Sequence, residues 1–583
     1  MFALFAVALL AKEPVIADWI VDAATVLTQN PKAPVATAFA VKDGRFLAVG
    51  ATADVQKYAG PKTIRMSLAG KTVTPGFNDA HLHPSPLFEE DSENGNVALG
   101  PERVKTIPEL IARLKKKAAA TPKGMIINGF GFQDTKLGRF PTCQDLDQAS
   151  TEHPIIIRHS SGHLAVANSL ALKLGGVTRD TASPAGGTVG KDANGEPNGY
   201  LAESAQGLVR NVGVRPARPS DEETRAAYLT CFRQFAAKGI TSAGVAGTDI
   251  RTIETWEAMA KSGTLPVRLN TMVSENGLAT LVKRKSEVGL GDEMVHLGAV
   301  KMFHGNSLSG RTCWVSKPYI DKPDFYGVPP ARSQEQLNAA VLSVVKAGFQ
   351  PCIHSNGDRE IDMVLKAFEN AQREFPRPDA RYRIEHCSVI TPELLARIKK
   401  QNVVIVPHSY EWEHGDKEEA YGAWRWDYMH PNGSALKLGI PFAGHSDYPV
   451  SAADPMLRIQ CMVTRLSAEG KVYGAKQRVS PAAALAAWTT GSAFAEFTES
   501  QKGQIKAGML ADFIVLDQNP LKVKPDTLRT VQVLQTFVGG KRVFNRATDH
   551  WATRSIPADP LSHSCPGEFD THGWLVEADR EEH

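Results

Sequence analysis

The chain has 583 residues, of which 42% are hydrophobic and 22% charged, and its formal net charge is +3. These values are typical of a globular protein with a large core, and the scattered basic residues exclude an extended nucleic-acid-binding surface. Seven cysteines without a CxxC pair exclude a disulfide framework and a thiolate zinc site. Any bound metal must therefore be held by nitrogen and oxygen atoms.

An apolar run, MFALFAVALLA, opens the chain and has about the length of a signal-peptide core. No positive residue precedes it. We therefore weigh a signal segment at residues 1–16, which predicts a periplasmic or secreted protein, against a mis-started N-terminus on a cytoplasmic one. No later apolar run approaches the roughly 20 residues of a membrane helix, so we expect no membrane span.

Segments rich in Val, Ile and Thr lie at both ends of the chain and predict short strands. Residues 17–74 contain VKDGRFLAV, in which an Asp-Gly pair between two apolar arms predicts a β-hairpin. Residues 499–548 contain the similar stretches KGQIKAGMLADFIVLD and TVQVLQTFVGGKRVFN. We expect one small β-sandwich domain built from both chain ends, followed by a C-terminal tail at residues 549–583.

Residues 75–498 alternate between short apolar runs and amphipathic helical stretches. One strand is expected before His81, and seven follow it in the order GITSAGV, PVRLNTMVS, LGAVKMFH, QPCIHSN, RYRIEHC, NVVIVPHS and IPFAGHSD. Eight strand–helix units predict an α/β fold, the (β/α)8 TIM barrel. The gap of about 160 residues between His81 and Gly239 is too long for one unit and predicts an insertion after strand 1, at about residues 87–220.

Metal-ligand side chains end several of the predicted barrel strands. The stretch TPGFNDAHLHPSP places His81 and His83 two residues apart, and because side chains alternate along a strand, both rings point the same way. His354, His386 and Asp447 end later strands, where barrel enzymes place their chemistry. Imidazole and carboxylate are the usual ligands of zinc and similar divalent ions. The sequence therefore predicts a metal site at the barrel mouth.

Lys301 lies in the otherwise apolar run LGAVKMF, which predicts a buried amine. Burial favours the neutral form of lysine, and a neutral amine can react with carbon dioxide to give an anionic carbamate. Such a carbamate could bridge two metal ions.

The chain resembles the amidohydrolase superfamily and, more narrowly, its family 3, which includes N-substituted formamide deformylases. The resemblance rests on VTPGFNDAHLH, LDQASTEHPIIIRHSSGHLAVANSLAL, NGEPNGYLAESA, GAVKMFHGNSLSGRT, IHSNGDR, RIEHCS, GHSDYPV, TTGSAFA and KGQIKAGMLADFIVLD. It implies that His81, His83 and Asp447 hold one divalent metal ion, that His354 and His386 hold a second, and that carboxylated Lys301 bridges the two. One departure is the segment 304–306, His-Gly-Asn, where related sequences tend to have Asp-Gly, so substrate contacts there are in doubt.

The resemblance also implies the reaction, which is hydrolysis of a non-peptide C–N bond in a small-molecule amide, N-acyl or N-formyl compound. Two ions, most simply zinc, would lower the pKa of a shared water from about 16 to near 7. Asp447 would accept the proton of this water and return it to the leaving nitrogen.

Weaker candidates for substrate contacts lie outside the ligand set. His163 belongs to the insertion, Arg311 follows the fourth strand, and His408 ends the seventh. Trp424 and Trp426 stand in the aromatic-rich stretch after it, which we interpret as a wall for an apolar or aromatic substrate group. Each has an alternative structural explanation, such as a turn, a salt bridge or loop packing.

Three alternatives remain at this point. A deaminase of the same superfamily is disfavoured because Ser, Asn and Gly follow His354 where a glutamate would be expected, and because Lys301 is present. An ester, lactone or phosphotriester hydrolase would use the same metals. A non-catalytic binding or regulatory protein has no need for Asp447 and Lys301 together. A homodimer is compatible with the sequence.

Overall fold

The computed structural model describes residues 15–90 and 92–549, and its centre is a parallel sheet of seven strands. These are β1 (Phe77–Leu82), β2 (Ile240–Thr248), β3 (Arg268–Ser274), β4 (Val295–Phe303), β5 (Gln350–Ser355), β6 (Arg383–His386) and β7 (Val404–Pro407). Each strand pairs in parallel with the next one along the chain. Sequential parallel pairing of this kind is the arrangement of a TIM barrel.

Residues 440–447 fill the eighth position of the barrel as an extended segment. Phe442 forms a parallel bridge with Ile405 of β7. On the other side, the amide of Ala80 in β1 donates to the carbonyl of Gly444 at 3.0 Å, and the amide of Asp447 donates to the carbonyl of His81 at 2.9 Å. The segment therefore joins β7 to β1 and carries Asp447 to the strand ends.

Helices pack around the barrel strands and cover their outer surface. They are Asp221–Ala237, Ile250–Lys261, Leu278–Glu287, Gln334–Lys346, Asp358–Glu374, Pro392–Lys400 and Pro455–Thr464. Their buried faces carry apolar residues at helical spacing, for example Leu337, Val341 and Val344, which belong to the same core cluster as Ile353 of β5. This pattern is why helices form in the amphipathic stretches between the strands.

The segment between β1 and β2 forms a second sheet of six strands. The strands are Val97–Ala98, Ile127–Phe132, Ile155–His159, Leu164–Ala167, Gly187–Lys191 and Pro197–Glu203. The helix Ile107–Ala120 starts at Thr106, whose hydroxyl accepts from the amide of Glu109, and it buries Leu110 and Leu114 against this sheet. Shorter helices are Asp134–Leu137, Cys143–Asp147 and Ser169–Leu174. An insertion after strand 1 is therefore present.

Two further sheets share one apolar core; the first comes from the N-terminal part of the chain, and the second combines strands from both chain ends. The first holds Trp19–Asp22, Ala38–Lys42, Arg45–Gly50 and Ile64–Ser67. The second holds Thr25–Leu27, Val35–Ala36, Thr72–Pro75, Phe513–Leu516, Val533–Val538 and Lys541–Asn545. Phe39, Phe46, Phe513 and Phe537 pack together in the shared core. The Asp43-Gly44 pair has positive φ at both residues, as a two-residue hairpin turn requires.

Two segments that the sequence singled out lie mostly outside the described residues. Of the apolar N-terminal segment 1–16, only residues 15 and 16 are described, and of the tail 549–583 only residue 549. Within the described part of the chain, no helix has the length and apolar character needed to cross a membrane.

Candidate metal centre

His81 and His83 meet Asp447 at the carboxyl end of β1. The Nε2 atom of His81 lies 3.5 Å from Asp447 Oδ1, and the Nε2 atom of His83 lies 3.3 Å from the same oxygen. The two rings stand 5.1 Å apart because alternate positions of a strand face the same side. One ligand atom from each of these three residues falls within 4.8 Å of the others, which is compatible with binding of a single ion.

The other three candidate ligands lie beside this group. The Nζ atom of Lys301, in β4, is 3.1 Å from Nε2 of His81. The ring of His386, at the end of β6, is 4.7 Å from the ring of His81, and the ring of His354, in β5, is 4.5 Å from that of His386. The structure thus gathers all six residues that the sequence singled out as ligands, although they come from five separate segments.

Hydrogen bonds orient the two histidines of β1 so that lone pairs face the carboxylate. His83 Nδ1 lies 2.7 Å from the carbonyl oxygen of Ala246, which can only accept, so Nδ1 carries the proton. His81 Nδ1 contacts the carboxylate of Glu385 in the same way. In a neutral imidazole the remaining Nε2 is then an acceptor, and it faces another acceptor, Asp447 Oδ1. A cation between these atoms would relieve the repulsion, so the donor set fits a metal ion.

The environment also sets the protonation of the other ligands. Burial lowers the pKa of His81, His354 and His386 well below the usual value, which keeps these rings neutral at pH 7. Burial lowers the pKa of Lys301 to about 8. Burial alone would raise the pKa of Asp447, but hydrogen bonding and the nearby histidines bring it below the usual value. These histidines therefore offer lone pairs and Asp447 offers an anion, as metal binding requires, and the lowered pKa of Lys301 makes its neutral form accessible near neutral pH.

Glu385 is a further residue at the candidate centre that the sequence analysis missed. It is fully buried, contacts His81 Nδ1, and accepts from the guanidinium of Arg383 at 2.8 and 2.9 Å. Strict alternation would send Glu385 and His386 to opposite faces of β6, yet both reach His81. The explanation is the backbone of His386, whose φ of 72° redirects its side chain. The RIEH motif would predict that Glu385 and His386 both reach the centre only if this irregular backbone at the strand end were known in advance.

Tyr410 and His445 are two further residues that the sequence did not assign to the centre. The Tyr410 hydroxyl donates to Asp447 Oδ2 at 2.6 Å. His386, His408 and His445 form a second buried group with ligand atoms within 4.8 Å of one another. However, the rings of His386 and His408 are stacked, 4.3 Å apart and 18° from parallel, so one ion cannot lie in both ring planes. This packing fits a supporting role.

His408, predicted to contact substrate, lies behind the candidate ligands instead. Its ring is 3% exposed and sits between the rings of His386 and Tyr410, 3.5 Å from the latter. It does not line the cavity above the centre. The prediction of a substrate contact is therefore wrong, because the chain turns His408 against its neighbours rather than toward the mouth.

The aromatic wall predicted from Trp424 and Trp426 is also absent from the cavity. Both residues lie in a short helix, Ala423–Trp426, and positions two apart on a helix are about 200° apart around its axis. Trp424 is 48% exposed and packs under the Lys317 ammonium group. Trp426 is 1% exposed and packs against Tyr473. The two rings therefore cannot form one surface.

Arg311 does not reach the cavity either. Its guanidinium forms an ion pair with Asp134 at 2.8 Å and lies 3.5 Å from Asp321. Asp134 belongs to the insertion, so Arg311 connects the loop after β4 to the insertion. The predicted substrate contact is replaced by this structural ion pair.

A cavity of about 550 Å³ lies above the centre, with six residues at its base: His83, Lys301, Phe303, His354, His386 and Asp447. His163, predicted to contact substrate, lines it and places its ring 5.1 Å from that of His354. Its Nδ1 is 2.7 Å from Glu203, whose other oxygen accepts from Thr312 Oγ1 at 2.6 Å. Burial opposes the charged form of His163, yet Glu203 raises its pKa above the usual value. His163 is thus held over the candidate ligands.

Comparison with known proteins is consistent with this geometry. The model of amidohydrolase family 3 matches residues 66–544. The N-substituted formamide deformylase of Arthrobacter pascens is 26% identical over 559 residues, which are 91% of this chain and 98% of that protein. The Arabidopsis thaliana protein LONG AFTER FAR-RED 3 is 27% identical over 558 residues, 91% of this chain and 92% of the relative.

A solved structure shows the same fold. It is an uncharacterized metal-dependent hydrolase from Pyrococcus horikoshii OT3, with a TM-score of 0.67 and 25% sequence identity, and the match covers 87% of this chain and 99% of that one. The family match extends from the terminal sheets through the insertion and the whole barrel. The chain therefore belongs to amidohydrolase family 3.

Proposed function

We propose that this chain is a metal-dependent hydrolase that cleaves the non-peptide C–N bond of small-molecule amides. The observation that carries the proposal is the orientation of His81 and His83, whose Nε2 atoms both face Asp447 Oδ1, at 3.5 and 3.3 Å. Four imidazoles and one carboxylate at the end of a barrel, with a buried lysine that can become an anionic carbamate, are a good set for divalent ions.

The residues present would hold two divalent ions, and zinc matches the nitrogen and oxygen donors. His81, His83 and Asp447 would bind one ion, and His354 and His386 the other. His354 Nε2 lies 3.1 Å from the carbonyl oxygen of Asn306 and 3.2 Å from the amide nitrogen of Asn356, and in the tautomer that donates to the carbonyl, Nδ1 is left for an ion. When bound, such ions lower the pKa of a water molecule and polarise the substrate carbonyl.

Lys301 would join the two sets of ligands as a carbamate. Its amine is 1% exposed and touches His81. In the reaction, the neutral amine attacks carbon dioxide, a new N–C bond forms, and one proton leaves, so that the product carries a negative charge. An anion at this position would also balance the charge of the two ions.

Asp447 would move the proton during hydrolysis. It accepts a proton from the attacking water and then gives it to the leaving nitrogen, because an amine anion is a very poor leaving group. The hydroxyl of Tyr410 holds the Oδ2 atom, which fixes the plane of the carboxylate. His163 lies over the candidate ligands and can donate a hydrogen bond to the substrate.

Metal analysis of the purified protein, together with a hydrolysis screen, tests the proposal. We expect two divalent ions per chain, loss of activity with a chelator, and recovery with zinc. Asp447→Asn should lower kcat for a cleaved amide by about 10²–10⁴-fold, since it removes the proton acceptor. Asp54→Asn, at an exposed position of the short helix Thr52–Gln56, is the control.

The screen should include N-acyl, N-formyl and cyclic amides, with esters, lactones and amino-purines as comparison arms. Preferential cleavage of esters or lactones would support a metal-dependent hydrolase but contradict the proposal that the C–N bond is the one cleaved. Ammonia release from the purines would point to a deaminase. A protein without bound metal that loses no activity with a chelator would refute the proposal.

A further inference from the structure

The walls of the cavity come largely from the insertion rather than from the barrel. Asn128 and Phe130 on one strand, and Ile156 and Arg158 on the next, all line the cavity. These are alternate positions, so one face of the insertion sheet is turned toward the candidate centre. The opposite face packs Ile127, Ile155 and Ile157 with the helix Ile107–Ala120. The barrel thus supplies the base and the insertion supplies the walls.

The insertion walls are strongly basic. The lysine and arginine residues that line the cavity above its base are Lys116, Lys117, Arg158, Arg210, Arg215 and Arg218. Even without Lys116, Lys117 and Arg158, which have other interactions, the remaining three arginines outnumber Glu93, the one acidic residue among the described residues of the walls. Such an imbalance produces a positive potential, which a narrow cavity of low dielectric strengthens.

Several of these cations have no nearby carboxylate in the described structure. Arg210, Arg215 and Arg218 form no ion pair within 4 Å with any described residue, whereas Arg311 and Arg139 of the same region do. Arg215 donates to the carbonyl of Arg210 at 2.6 Å and to the side chain of Asn211 at 3.3 Å. Both acceptors are neutral, so they orient the guanidinium without compensating its charge.

The residues that line the cavity become less exposed from its rim to its interior. Arg215 and Arg218 are exposed, and Arg158 is half-buried. Phe130, Ile156 and Val209 are at most 8% exposed, so the cavity also has an apolar wall. A ligand that fills this space would combine an apolar body with an anionic end.

We propose that the insertion selects amides that carry an anionic group remote from the scissile bond, held by Arg158 and by the arginines of the rim. This inference rests on the proposed function and specifies its substrate class. Guanidinium groups match carboxylate and phosphate oxygens through paired N–H donors, which supports selection as well as attraction. The anion enters by way of the basic rim, and the amide reaches the candidate metal ligands at the base.

The test compares amides that differ only at the remote end. Three N-benzylamides of one chain length carry a terminal methyl, carboxylate or phosphate group. We expect kcat/KM at low salt to be about tenfold or more higher for an anionic member than for the methyl compound, with the advantage shrinking as salt rises. The carboxylate and phosphate arms show which anion fits better.

Arg158→Gln, alone and with Arg215→Gln and Arg218→Gln, should raise KM for the anionic amides about tenfold and leave the methyl compound and the metal content unchanged. Arg65→Gln removes an exposed arginine from a terminal sheet and serves as the matched control. Equal turnover of charged and neutral amides, or an equal loss for both in the variants, would overturn the proposal.

Binding measurements distinguish a failure of this inference from a failure of the proposed function. In ketone analogues a CH2 group replaces the amide nitrogen, so no hydrolysis takes place, and calorimetry measures the affinity. Tighter binding of the anionic ketones that depends on Arg158 would support the inference even if no amide were cleaved. Equal binding of charged and neutral ketones would refute it even if amides were cleaved.

Discussion

His81 is held from both of its ring nitrogens. Glu385 contacts Nδ1, while Nε2 faces Asp447 and the amine of Lys301. Because Glu385 also accepts two hydrogen bonds from the buried Arg383, it joins the candidate centre to the interior of the barrel. A metal ligand fixed in this way keeps its tautomer and its direction.

Replacing Glu385 by glutamine should destabilise the fold and weaken metal binding together. The change leaves the guanidinium of Arg383 buried without a partner charge, which typically costs about 3–5 kcal/mol of unfolding free energy. We expect a lower urea midpoint and a metal content below that of the unmodified protein. Glu499→Gln removes an exposed carboxylate from Arg381, which keeps Asp379 as a second partner at 2.8 Å, and should cost at most about 1 kcal/mol. Equal losses in the two variants would contradict this account.

Tyr410→Phe removes one hydroxyl from the candidate centre. A hydrogen bond to a charged group contributes about 1.5–3 kcal/mol, so losing the bond to Asp447 should lower kcat about 10- to 100-fold. KM should change little, because Tyr410 touches the carboxylate and does not line the cavity. Steady-state kinetics check this, with Tyr382→Phe, whose hydroxyl reaches Gln372, as the control. A change in KM alone would assign Tyr410 to substrate binding.

At the scale of elements, one side chain organises the loops that follow β4 and β5. Glu360, in the helix Asp358–Glu374, accepts four backbone N–H groups, from Asn306, Trp314, Asn356 and Gly357. The segment 304–306, where the sequence departs from related proteins, is thus buried against this carboxylate rather than lining the cavity.

Glu360→Gln places an amide NH2 against backbone donors that need an acceptor. At least one of the four hydrogen bonds is lost and donors face one another, so we expect a loss of roughly 2–5 kcal/mol in unfolding free energy. Thermal and urea unfolding measure it. Glu369→Gln, in the same helix, removes an exposed carboxylate that lies 3.8 Å from Arg397 and provides the comparison. An unchanged melting temperature for Glu360→Gln would show that the four hydrogen bonds are dispensable.

The sequence predicted what depends on regular periodicity. Strand alternation brought His81 and His83 to one side, and strand–helix repetition placed Lys301, His354 and Asp447 at the same mouth. Prediction from the sequence was wrong where the backbone departs from regular strand or helix geometry. The positive φ of His386 lets Glu385 and His386 both approach His81, and the short helix that separates Trp424 from Trp426 replaces an expected loop. Such features depend on tertiary contacts that local patterns do not contain.

At the scale of the whole molecule, three units pack together, and two of them meet around the candidate centre. The barrel supplies the ligands, the insertion supplies the cavity walls, and the terminal sheets pack against the opposite part of the barrel. The last contact includes Arg268 at the start of β3, whose guanidinium pairs with Asp512 at 2.7 and 3.0 Å. Both side chains are at most 7% exposed, and Asp512 also accepts from the amide of Gly539 at 2.7 Å.

Asp512→Asn should therefore test whether the terminal sheets and the barrel unfold as one unit. The variant leaves Arg268 buried without its partner charge, and the expected cost is about 3–5 kcal/mol of unfolding free energy. A second contact between the same units, Arg45 with Glu293, is 40% and 47% exposed, so Glu293→Gln should cost at most about 1 kcal/mol. Urea unfolding followed by both circular dichroism and tryptophan fluorescence distinguishes two outcomes. Coincident transitions that shift together in Asp512→Asn mean that the buried pair couples the units, whereas a separate early transition in the unmodified protein would show that they are independent.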